Sequence, residues 1–108
     1  MPFINSKVTC KLDSAKKATL IESLGEIIQT IPGKSPSRLM IGFKDNYPLY
    51  FAGDKLENGA FVEIKIFGKT TASILKEVTK QICDLYHKEL DISPTNLYVT
   101  YEFIEHKG

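Results

Sequence analysis

The chain has 108 residues, 43% of them apolar and 25% charged, with a formal charge of +1. That length supports one domain with a real core, and the composition excludes disorder and low complexity. The near-neutral balance provides no field to gather nucleic acid or anionic lipid, and no apolar run reaches the ~18 residues that span a bilayer.

The opening "MPFINSKV" predicts a strand beginning just after Pro2. Lys7, Thr9 and Lys11 interrupt any hydrophobic segment, so the opening does not read as a signal peptide. A cytoplasmic protein, or one released without a signal peptide, is expected. Asp13 or Ser14 then caps a helix in which Leu20, Ile21, Leu24, Ile27, Ile28 and Ile31 recur at helical spacing. Lys16-Lys17 near its start reads as a solvated face. Pro32-Gly33-Lys34 stops the helix, because Pro32 cannot continue it and Gly33 tolerates a left-handed backbone.

A second strand follows over Leu39 to Phe43. The stretch "DNYPLYFAGDKLENG" carries turn chemistry at Asp45-Asn46, Gly53-Asp54 and Asn58-Gly59, with a short extra strand around Leu49 to Ala52. The alternating run Phe61 to Phe67 predicts another strand. Thr70 or Thr71 then caps a helix carrying Ile74, Leu75, Val78, Ile82 and Leu85, ending near Leu90. Pro94 leads into a last strand through Leu97, Val99 and Tyr101.

An internal repeat organises these elements. "SPSRLMIGF" (35–43) parallels "SPTNLYVTY" (93–101) at an offset of 58 residues, and the same offset sets Phe3-Ile4 against Phe61-Val62 and Ile27 against Leu85. The chain therefore reads as a single α+β domain over 1–108. It consists of two tandem β-α-β units, 2–43 and 60–101, with 44–59 inserted between them. Four strands would form one sheet with two helices on one face. The other face, with Phe3, Asn5, Lys7, Met40, Phe61, Glu63, Lys65, Phe67, Tyr98, Thr100 and Glu102, is left uncovered, and its mixed character reads as an oligomer contact.

Few catalytic signatures are present. Cys10 and Cys83 lack C-x-x-C spacing and read as small reduced fillers, and His87 and His106 have no partners at metal-ligand spacing. No Gly-rich phosphate loop or nucleophile elbow occurs.

Proline at position two, Gly33-Lys34 after the first helix, "FGK" after the third main strand and "ISPTNLYVTYE" near the end resemble the tautomerase superfamily. Within it the sequence is most similar to the macrophage migration inhibitory factor and D-dopachrome tautomerase branch. The resemblance covers nearly the whole chain and implies a homotrimer, removal of Met1, and Pro2 as a secondary amine acting as general acid/base. It implies that Lys34 binds the substrate's carboxylate or carbonyl, that Phe67 offers a main-chain N–H, and that Tyr98 walls a neighbour's pocket. Thr100 stands where the cytokine has a pocket asparagine, and Arg38 where it has a pocket tyrosine. Arg38 either adds a second carboxylate anchor or points to solvent. Gly59 to Val62 replace the cytokine's C-x-x-C, and the chain ends at Gly108 without the extension that closes one side of the cytokine's pocket.

The expected function is keto–enol tautomerisation of an α-keto acid such as phenylpyruvate, an isomerase reaction on a small carboxylate that needs no metal or organic cofactor. Two rival readings stand beside it. One is a cytokine-like binding protein with a vestigial pocket and an unknown receptor; the other is a ferredoxin-like assembly domain in which Pro2 is incidental.

Overall fold

The computed structural model describes residues 2–105. Met1, His106 and Gly108, on which three of the expectations above bear, lie outside the described residues. Eight regular elements follow in order: β1 (Phe3–Val8), α1 (Ser14–Ile28), β2 (Met40–Lys44), β3 (Tyr50–Phe51), β4 (Asp54–Lys55), β5 (Ala60–Phe67), α2 (Ala72–Leu90) and β6 (Leu97–Ile104). Four of the strands form a mixed sheet in the order β2-β1-β5-β6. The outer pairs are parallel and the central pair antiparallel, with Asn5 opposite Glu63. In both parallel pairs the partner lies 37 residues on, Phe3 with Met40 and Phe61 with Tyr98.

The helices start where their caps dictate. The Asp13 carboxylate accepts from the Lys16 N–H at 2.7 Å, and the Thr71 hydroxyl accepts from the Ile74 N–H at 3.3 Å. Asp91 ends α2 in the left-handed conformation. Strand alternation buries Ile4, Val8, Val62, Ile64 and Ile66 against Leu20, Leu24, Ile28, Val78 and Ile82 of the helices, which makes one continuous core.

Four expectations change. Ile21 is 48% exposed, while α1 buries Leu20, Leu24, Gly25, Ile27 and Ile28. The extra strand is the two-residue β3, and it joins no main strand; it pairs with β4, a strand not expected, in a separate hairpin. Lys16 is not simply solvated, since its ammonium lies 3.3 Å from Glu89 of α2. Tyr86, absent from the expected core, is fully buried, and its hydroxyl meets that of Ser6 on β1 at 2.5 Å. Burial holds the Tyr86 phenol up at about 12, against the lowering effect of that hydrogen bond.

Candidate active site

Pro2 stands at the mouth of β1 and is buried. A proline has no strand N–H to lose there, while its carbonyl still accepts from the Met40 N–H of β2 at 3.0 Å. Phe3 pairs with Lys65, so the next residue outward on β5 beside Pro2 is Ile66, followed by Phe67 at the strand end. The first residue of the sheet and the last of β5 therefore share one edge of the molecule.

Lys34 is delivered to that same edge. Gly33 takes a φ of 81°, which turns the chain back after Pro32, and the Lys34 N–H donates to the Ile31 carbonyl at 3.1 Å. The side chain then crosses to β5, where its Nζ donates to the Phe67 carbonyl at 2.6 Å. Lys7, Lys16 and Lys65 each meet a carboxylate, whereas Lys34 forms no ion pair among the described residues. A neutral carbonyl occupies one ammonium donor without cancelling the charge, so the group can still attract an anion.

The remaining candidates come from other elements. Arg38 closes a 3-10 turn over Pro36–Arg38, exposed and two residues ahead of Met40, with no ion pair among the described residues. Tyr98 and Thr100 occupy the uncovered face of β6. Tyr98 is level with Phe61, five residues along β5 from Ile66, or about 17 Å away. Thr100 lies opposite Glu63, with its hydroxyl 3.5 Å from the Val62 carbonyl. Within one chain, then, Lys34 meets the Phe67 carbonyl at the edge where Pro2 precedes β1, while Tyr98 and Thr100 lie along β6 away from that edge.

Tyr98 has company that the sequence reading passed over. Phe51 and Phe61 lie 6.1 and 6.3 Å from its ring, and with Leu49, Leu56 and Ala60 they border a concavity of about 200 Å³. Their shared parity on β5 and β6 was the available signal for Phe61 and Tyr98; Phe51 arrives from the separate hairpin and had none. Burial raises both cysteine thiols, so neither presents a ready thiolate, and no cluster of three metal-ligating side chains occurs among the described residues. Nor is any described helix long and apolar enough to cross a membrane.

No family model matches the sequence, and no curated protein matches it. Solved structures do. The chain is similar along 100% of its length to MIF2 of Leishmania major, at 31% identity and a TM-score of 0.91, covering 92% of that protein. The chain belongs to the macrophage migration inhibitory factor family, within the tautomerase superfamily. The family homologue of Prochlorococcus marinus matches at a TM-score of 0.81 with 23% identity, over 93% of this chain and 86% of that one. The macrophage migration inhibitory factor of Toxoplasma gondii gives 0.84 with 16% identity, over 94% and 89%. These two likenesses speak for the fold. The mixed sheet with two helices is thus the family's architecture.

Proposed function

We infer that the protein is a keto–enol tautomerase acting on an α-keto acid such as phenylpyruvate, with Pro2 as general acid/base once Met1 is removed. The observation that carries this reading is the Lys34 ammonium, held 2.6 Å from the Phe67 carbonyl at the edge where buried Pro2 begins the sheet. Full-length similarity at 31% identity to a family member supports it.

The chemistry runs as a proton relay at one nitrogen. Burial and a neighbouring cation both favour the neutral amine, the form able to take a proton. The Pro2 nitrogen removes a proton from the carbon next to the keto group, the electron pair moves onto the carbonyl oxygen, and the ammonium so formed returns the proton to that oxygen. Lys34 stabilises the developing negative charge and draws the carboxylate. Arg38 serves as a further carboxylate anchor, and Phe67 takes part through its main chain. Tyr98 and Thr100 come from a neighbouring copy in a homotrimer, which would also cover the exposed Met40, Tyr98 and Phe103 side chains.

The test is phenylpyruvate enol–keto turnover by protein whose loss of Met1 is verified by intact mass, beside Pro2→Gly. Glycine keeps a terminal amine but loses the ring. Turnover is expected to fall roughly a hundredfold or more; equal rates in both proteins would remove Pro2 from the mechanism.

A further inference from the structure

We propose that Gly68 is a positioning residue for Lys34, and that the Phe67–Gly68 peptide is a clamped seat that aims the ammonium at an incoming carboxylate. This rests on the anion-binding role given to Lys34 above. The two groups of this single peptide unit are engaged in opposite directions: the Gly68 N–H donates to the Ile104 carbonyl at 3.1 Å, and the Phe67 carbonyl accepts from Lys34 at 2.6 Å. A trans peptide is planar, so fixing its N–H against the end of β6 fixes where its carbonyl points. The carbonyl in turn fixes a side chain that would otherwise sample many rotamers.

Residue 68 governs that plane through its backbone. Gly68 has a φ of 113°, a region that L side chains rarely adopt. Space is not the constraint. A Cβ at this position would meet only the Lys34 ammonium, at 3.9 Å, an ordinary contact. Glycine is therefore required for conformation, and an L-residue would relax φ and turn the carbonyl away from Lys34. The seat also uses a dipole where other lysines here use a carboxylate, which leaves two ammonium hydrogens and the full charge for the ligand.

The experiment compares the wild type, Gly68→Ala, a synthetic chain with D-alanine at 68, Lys34→Met and the Gly68→Ala/Lys34→Met double variant. Two readouts are used: phenylpyruvate turnover, split into KM and kcat, and binding of unreactive 3-phenylpropanoate followed by NMR. Gly68→Ala should raise the phenylpropanoate Kd about tenfold and lower kcat/KM by at least that factor, because Lys34 both draws the carboxylate and stabilises the developing charge. D-alanine, which prefers positive φ, should restore both constants. In the Lys34→Met background Gly68→Ala should add nothing.

Equal weakening by L- and D-alanine, equal weakening with and without Lys34, or no weakening at all would each overturn the proposal. A wild type that binds phenylpropanoate but turns over no keto acid would sink the tautomerase reading and leave this one to the binding arm. Absence of wild-type phenylpropanoate binding would sink the seat itself. Should Gly68→Ala not fold, the Lys34 ammonium resonance of the wild type decides: a narrow signal protected from exchange supports the seat, and one indistinguishable from other lysines refutes it.

Discussion

Ser6 and Tyr86 offer a direct measure of how firmly β1, the strand that follows Pro2, is anchored. Ser6 is the inward-facing residue at the middle of β1, Tyr86 lies on the last turns of α2, and both are 0% exposed with their hydroxyls 2.5 Å apart. Ser6→Ala removes few atoms but leaves the phenol without its partner, which costs about 1–3 kcal/mol for a buried unsatisfied group. Tyr86→Phe deletes the other hydroxyl, and the serine left behind can turn to nearby main-chain groups, so the cost is nearer 1 kcal/mol. The double variant removes both polar groups. It should be less damaged than the two single losses added together, with a coupling of roughly 1 kcal/mol. Urea denaturation at one fixed protein concentration reads all four proteins, since any association would otherwise shift apparent stability. Strict additivity, or a Ser6→Ala loss below about 0.5 kcal/mol, would refute the view that this hydrogen bond ties β1 to α2.

Alkaline unfolding tests the same phenol from another side. An unfolded tyrosine ionises near 10, whereas native Tyr86 is held at about 12, so the unfolded chain releases its proton first. Stability is then complete below about pH 10 and falls by up to roughly 2.7 kcal/mol as pH rises to 12; Tyr86→Phe should flatten this slope in equilibrium denaturation. Subunit mixing tests the shared site. Pro2→Gly and Tyr98→Ala, each weak in turnover alone, should regain activity when co-refolded, because about one site in three of every mixed trimer would draw both groups from unmutated positions. No recovery would place Tyr98 outside the neighbour's site.

What could be foreseen from residue types depended on whether the signal was periodic. Ile4, Val8, Val62, Ile64 and Ile66 alternate with polar neighbours, and they are the strand residues that the helices bury. Ile21 has the right spacing yet faces outward, since periodicity marks an apolar stripe wider than the surface actually covered. Tyr86 shows the converse. It continues the Val78, Ile82 series by one further helical step, but its hydroxyl makes it easy to leave out unless a partner such as Ser6 is paired with it beforehand. At the candidate site, Pro2 and Lys34 were legible as letters. The Phe67 carbonyl that receives Lys34 was not, because every residue carries a carbonyl and only the backbone angle at Gly68 aims this one. Of the β3–β4 hairpin only β3 was foreseen; β4 was hidden for a related reason, being two residues long and too short to show any alternation.

The register of the central strands has a consequence for how many reaction centres such a chain can carry. With Asn5 opposite Glu63 and the same 37-residue step in both parallel pairs, a half-turn through that pair superposes one β-α-β segment on the other. We read the segments as copies of one unit, and the half-turn then sends Pro2 to Ala60 and Lys34 to Ile92, both buried and inert. The scaffold thus has two architecturally matched ends with unequal fates. Side-chain substitution could equip the second end with a lysine, but no substitution could give it a chain terminus. A linear polypeptide begins once, so chemistry founded on an N-terminal amine is limited to one centre per chain by covalent connectivity, however symmetric the fold around it.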